Sequence, residues 1–171
     1  MYHGLFSQSM ADAFVDAHLM NRAEFWTPVP LPSTAANDPL YRPTDQNNWS
    51  GPCQGLTYQR AADALMRYGH HAETTMLGAE WLKLLMDTGK LVQQYDAFTG
   101  APADAEDGYG PTMLAALEYV SLLYGVNLRY DRILFSSVSE NGESDYAQWM
   151  NGRLYRLTRS HGLTSSYIDD R

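Results

Sequence analysis

The sequence predicts a mainly α-helical chain of paired helices, followed by a short β-hairpin segment. Three observations carry this. Apolar residues recur at helical spacing in four stretches before Gly125. Glycines close two of those stretches, at Gly69 and Gly89, with only a few residues between them and the next element. After Gly125 the pattern changes to short extended runs around Asn151-Gly152, the pair that best suits a two-residue type I′ turn.

The first helix is predicted in "LFSQSMADAFVDAHLM", where Phe6, Met10, Ala13, Phe14 and Ala17 share a face. Residues 21 to 52 follow as an excursion. They hold six of the chain's eight prolines, at 28, 30, 32, 39, 43 and 52. Proline removes a backbone donor and fixes its own angle, so this segment is neither helix nor central strand. Its bulky aromatics, Phe25, Trp26 and Trp49, mark an ordered functional loop rather than a disordered linker.

Residues 54 to 69 form the second helix and "HHAETTMLGAEWLKLLMDTG" the third, with Leu77, Trp81, Leu84 and Leu85 on one face. Helices joined so tightly pack as an antiparallel hairpin. Residues 91 to 111 form a Gly-, Pro- and Asp-rich loop. The fourth helix, "PTMLAALEYVSLLYG", starts at Pro111 and is expected to bury Met113, Ala116, Leu117, Val120, Leu123 and Tyr124. "VNLRYDRILFSSVS" reads as extended, "YAQWMNGRLYRLT" as a hairpin, and "LTSSYI" after Gly162 as one more short strand. Two or three strands make a poor sheet alone, so the β region reads as incomplete. The implied division is residues 1–125, helical, and 126–171, β-rich.

The chain has 171 residues, 44% of them hydrophobic, enough for one core. Twelve Lys and Arg stand against twenty Asp and Glu, a net charge of -8. That balance disfavours nucleic acid, an anionic membrane surface or a strongly anionic substrate. Cys53 is the single cysteine, so no intrachain disulfide forms, and it reads as a small buried filler. No apolar run reaches the roughly 20 residues that span a bilayer. The N-terminal residues do not read as a signal peptide. A cytoplasmic location follows by default, unless the chain is a piece of a longer precursor.

Most reaction classes find no support. His70 and His71 are adjacent and point about 100° apart on a helix, so they cannot chelate together. His3, His18 and His161 are scattered, and no metal or other cofactor is implied. There is no G-x-S-x-G and no phosphate-binding glycine loop. Sugar chemistry remains. A sugar site needs flat aromatics against ring faces and amides or carboxylates for hydroxyls. The loops supply Trp26, Trp49, Asn47, Asn48 and Gln54, then Gln93, Gln94, Tyr95, Asp96, Asp107 and Tyr109. Glycoside hydrolysis normally uses two carboxylates. Asp45, Asp96, Asp104, Glu106 and Asp107 are the loop acids available. The helix acids Asp63, Glu73, Glu80 and Glu118 are expected to face solvent or pair with bases.

From about residue 20 to 125 the segments "EFWTPVPLPS", "NDPLY", "NNWSGPCQGLTYQRAADALMRYGH", "QQYDAFTG" and "DGYGPTMLAALEYV" occur in a telling order. They resemble the C-terminal part of the catalytic domain of glycoside hydrolases related to processing α-glucosidase I and mannosylglycerate hydrolase. The resemblance implies an α/α toroid of six helical hairpins and an inverting mechanism on an α-glycosidic bond. It implies an oligosaccharide or glycoside substrate, for which the loop residues Trp26, Trp49, Gln54, Gln94, Tyr95 and Tyr109 are the expected contacts. In these relatives a carboxylate opens the Tyr-Asp/Asn-x-x-Thr-Gly loop and activates water. This chain has Gln93 there, and an amide cannot take that proton. Three readings stay open: Asp96 is the base, the register differs, or the activity is changed or lost. The general acid of the relatives lies upstream of the matched part. A partial toroid would leave apolar faces around Phe14, Leu77 or Leu117 uncovered, to be met by the remainder of the toroid or by self-association. A non-catalytic carbohydrate-binding or scaffold module is the competing reading. A histidine-based sugar isomerase or epimerase is a third.

Overall fold

The structure is a computed structural model, and it describes residues 1–43, 49–103, 107–136 and 142–170. The chain divides into two compact units, Met1–Ala116 and Leu117–Arg171, with the division inside the fourth helix. The described residues hold four α-helices and three small antiparallel sheets, so the chain is mixed α and β rather than mainly α. None of the described helices is long and apolar enough to cross a membrane.

The first unit begins with α1, Gln8–Phe14, which runs on as one π-helical turn, Val15–Leu19. Ser7 caps it, its hydroxyl accepting the Met10 N–H at 3.2 Å. Its buried stripe is Ala11, Val15 and Leu19, not the expected one. Met10 is 53% exposed, and Ala13 and Ala17 also face out. Both stripes have helical spacing, and packing selects the one with smaller side chains near its start.

The proline-rich excursion is ordered where it is described. It folds on itself through Leu31 N to Phe25 O, 2.7 Å, and Arg42 N to Ser50 O, 2.7 Å. It then leads into β1, Cys53–Gln54, and α2, Gly55–Arg67. Gly69 takes the left-handed conformation (φ 78°) and turns the chain into α3, His71–Thr88. Gly89, again left-handed, ends α3 as expected. The α2–α3 hairpin buries Tyr58, Ala62 and Leu65 on one side, with Leu77, Trp81 and Leu84 on the other. Tyr58 and Trp81 stack at 4.1 Å. Leu77 is completely buried, against the expectation that its face would lie open.

Strand β2, Gln94–Tyr95, pairs antiparallel with β1. Helix α4, Gly110–Tyr124, follows. Its buried positions are Thr112, Ala115, Tyr119, Ser121, Leu122 and, as expected, Leu123, whereas Met113, Leu117 and Tyr124 are 43%, 66% and 38% exposed. The expected face is therefore rotated. The cause is a close approach: a Cβ at Gly55 would sit 2.6 Å from Thr112 Cα. Backbones that near require small side chains between them, so Thr112 and Ala115 turn inward and Met113 and Leu117 outward.

In the second unit Asn127 Nδ2 donates to Ser121 Oγ at 2.7 Å, and Arg129 pairs with Glu118, fastening the end of α4 to β3, Val126–Leu128. Strand β4, Ile133–Phe135, pairs with β3. Strands β5, Ser144–Met150, β6, Arg153–Ser160, and β7, Leu163–Asp170, form a meander. Asn151 and Gly152 both have positive φ (52° and 79°), the I′ geometry expected for that pair. His161 and Gly162 repeat it at 50° and 78°. Val126, Tyr155 and Leu157 form the small core, with Leu128 and Tyr146 against it.

Candidate functional site

The site is built on the β1–β2 bridge, which joins two loops about forty residues apart. Cys53 lies opposite Tyr95, and Gln54 opposite Gln94. Gly55 directly after Gln54 lets α2 start hard against Thr112, whose hydroxyl donates to Val92 O at 2.7 Å. The excursion reaches the same place. Val29 N donates to Ala97 O at 2.9 Å, and Cys53 Sγ donates to Val29 O at 3.2 Å.

Asp96 organises the "DAFTG" turn. Its Oδ1 accepts from Phe98 N at 2.9 Å, Thr99 N at 2.7 Å and Thr99 Oγ1 at 2.9 Å. Its backbone carbonyl accepts from Gly100 N at 3.0 Å. Burial alone would raise the Asp96 carboxyl, but the donors from Thr99 and Phe98 outweigh it and hold the group below its ordinary value. An anion so saturated on one oxygen is a weak base. Its first role is to hold the loop.

The expected substrate contacts divide. Gln93 is half-buried, one step before the bridge. Gln94 and Gln54 are 0% and 1% exposed, so the structure places them in the interior rather than on a rim. Tyr95 is also interior. Its hydroxyl donates to Lys90 O and accepts from Val92 N, and its ring meets Trp81 edge-on at 5.5 Å. Burial pushes its phenol up to about 12. Sequence spacing could not separate a rim tyrosine from this pillar, because both sit in a loop. Trp49 is 61% exposed. Tyr109 immediately precedes α4, its N–H donating to Leu91 O at 2.6 Å. Trp26 lies apart, in a shallow recess of about 250 Å³ with Arg22, Pro28 and Glu80.

A cleft of about 390 Å³ opens beside Asp96, lined also by the expected contact Tyr95 and by Pro43, Pro52, Thr99 and Pro102. Among the described residues Asp96 is the one carboxylate lining it. Asp107 is a turn clamp: its Oδ1 accepts from Leu91 N at 2.7 Å and Gly108 N at 2.9 Å, and these bonds hold its carboxyl below the ordinary value. Of the helix acids, Glu73 lies 3.5 Å from His70, and Glu118 pairs with Arg129. Asp45, Asn47, Asn48, Asp104 and Glu106 lie outside the described residues. No three His, Cys, Asp or Glu side chains gather among the described residues as a metal group would.

One neighbour, in the "NDPLY" segment, is absent from the expected contacts. Tyr41 packs edge-on against Phe98 at 6.0 Å. Burial first, then the charge of Asp96, pushes its phenol up to about 12. Burial and the same carboxylate also raise the Cys53 thiol. Tyr41, Cys53 and Asp96 therefore share one neighbourhood at the foot of the excursion. A cleft with an anchored anion, proline walls and a threonine hydroxyl suits a neutral ligand rich in hydroxyls.

No curated protein matches the chain. Among solved structures it is similar to an uncharacterized conserved protein from Thermus thermophilus, at 25% identity and TM-score 0.53, over 69% of this chain and 27% of that one. It is also similar to a GH63 mannosylglycerate hydrolase from Thermus thermophilus in complex with glucose, at 25% identity and TM-score 0.55, over 69% of this chain and 28% of that one. The same hydrolase in complex with Tris shares the fold at TM-score 0.58 and 24% identity, over 67% of this chain and 27% of that one. The chain thus spans little more than a quarter of the length of these structures. Residues 1–110 match the family described as the mannosylglycerate hydrolase MGH1-like glycoside hydrolase domain. The chain belongs to that glycoside hydrolase family.

Proposed function

We propose that this chain is the C-terminal part of the catalytic region of an inverting glycoside hydrolase acting on α-glycosidic bonds, its hairpins forming an arc of an α/α toroid. One observation carries the reading. The "WSGPCQ" and "QQYDAFTG" segments, the two motifs of the resemblance, meet through Cys53–Tyr95 and Gln54–Gln94. Gln93 stands where the relatives' base would be, and Asp96 fixes the loop that presents it. The outward residues of α4, Met113, Leu114 and Leu117, at 43%, 57% and 66% exposure, offer a surface for further hairpins or for a second copy. The amide at Gln93 favours one alternative, a sugar-binding module without turnover.

The test uses the native polypeptide that contains this chain, incubated with mannosylglycerate and with an α-glucoside. Anomeric protons are followed by NMR. Slow release of the β-anomer is expected. Gln93→Glu should raise the rate about 10²-fold, the lower end of what a positioned base supplies. Saturable sugar binding without turnover in either protein, lost in Trp49→Ala, would favour the binding module. Neither turnover nor binding would end both readings.

A further inference from the structure

The β5–β6–β7 sheet lies beyond the residues that match the family, 1–110. Strand alternation gives it two faces. One carries Tyr155 and Leu157, which belong to the small core. The cross-strand register assembles the other. Ala147, Arg156 and Tyr167 form one row, and Trp149, Leu154 and Asp169 the next. Trp149 and Tyr167 are 53% and 42% exposed, on opposite edge strands. Arg156 lies between them and is held flat. Its Nε donates to Asp145 Oδ1 at 2.6 Å, a second nitrogen donates to Asp145 Oδ2, and Nη1 donates to Tyr167 Oη at 3.3 Å.

We infer that this face is a carbohydrate-binding platform, with Trp149 and Tyr167 stacking two rings of an oligosaccharide and the Arg156–Asp145 pair serving hydroxyls between them. Three arguments select this occupant. A protein layer packed here would bury a bidentate ion pair at its centre, and desolvating such a pair costs more than it returns. The face is also small. Three strands about 14 Å wide and seven residues about 24 Å long offer about 340 Å². That is less than half of the roughly 800 Å² each partner gives to a stable interface. The arrangement itself, separated aromatic rings with fixed donors and acceptors between them, matches an extended sugar chain: apolar ring faces alternating with hydroxyls. The choice of sugar over another elongated polar ligand rests on the carbohydrate reading above. The platform shares no residue with the 93–100 loop and would serve to hold substrate, not to cleave it.

The test titrates the full chain with maltohexaose and with soluble α-mannan, read by amide NMR shifts and calorimetry. Saturable shifts at Ala147, Arg156 and Tyr167 are expected with at least one of them. Trp149→Ala and Tyr167→Ala should each weaken binding about tenfold, the loss of one stacked ring. Amide protection in β6 checks that each variant stays folded. Shifts confined to residues 49–54 and 93–100 would overturn the platform and leave the proposed function standing. Absence of saturable binding to both sugars would overturn it as well. So would a dimer in sedimentation that Trp149→Ala dissociates, because the face would then belong to a second copy.

Discussion

The two units use aromatic residues in opposite ways. In Met1–Ala116 three large rings make the interior: Tyr58, Trp81 and Tyr95 are fully buried, with Trp81 against both of the others, while Trp49 and Phe98 stay exposed. In Leu117–Arg171 the core cluster is Val126, Tyr155 and Leu157, while Tyr130, Trp149 and Tyr167 face outward. The first unit is held by depth of packing. The second is held by the backbone ladders of its strands and by polar fasteners such as Asn127–Ser121. Aromatic content alone therefore does not mark a binding surface. The side of the backbone each ring occupies decides it.

The most damaging way to test the contrast is Trp81→Ala. Trp81 is fully buried between Tyr58 and Tyr95. Removing it should cost about 3–5 kcal/mol. Hydrogen exchange should show α2 and α3 opening while β5–β7 keep their protection. Simultaneous loss in both units would show that they fold as one and would break the comparison.

The matching test in the second unit is Gly125→Ala. A Cβ there would lie 2.4 Å from Tyr146 Cγ, and Tyr146 packs on the small core. The ring cannot withdraw without uncovering that core. An overpacking cost of about 1–3 kcal/mol is expected. Chemical denaturation followed through β-sheet amides should show it, with the α2–α3 amides unchanged. A neutral result would mean that Tyr146 moves freely and that the core of this unit is looser than the first.

Much of this was legible from local chemistry. Gly69 and Gly89 end helices because their left-handed backbones suit glycine, and Asn151-Gly152 forms its turn for the same reason. Such signals need only neighbours in sequence. What escaped was set by contacts between distant segments. Hydrophobicity ranks Leu117 above Thr112 for burial, yet the approach of Gly55 to α4 reverses them. Gln54 and Gln94 looked like rim amides until the bridge joined them in the interior. The expectation for Gln93 rests on a motif and not on packing. Tyr41 closes the "NDPLY" segment of the resemblance yet is absent from the expected contacts, since its meeting with Phe98 depends on the path of the whole excursion.

Asp96 gives the most local test, and the smallest effect. As an anion it accepts three donors from Phe98 and Thr99. Burial would raise its carboxyl, but those donors lower it below the ordinary value. A group depressed on folding adds stability above its unfolded value of about 4, and that contribution drains away as pH falls through the lower folded value. Asp96→Asn keeps the shape but removes the charge, so it should cost about 1 kcal/mol near neutral pH. The melting-temperature gap between the two proteins should be widest above about pH 5, begin to narrow near pH 4 and close only as pH falls through the lower folded value. A gap that stays constant across that range would mean the donors hold the neutral acid equally well. A gap confined to the first unit's transition would place the loop among the elements that depend on its packing, because Gly100 at the end of the turn lies directly over Leu84 of α3.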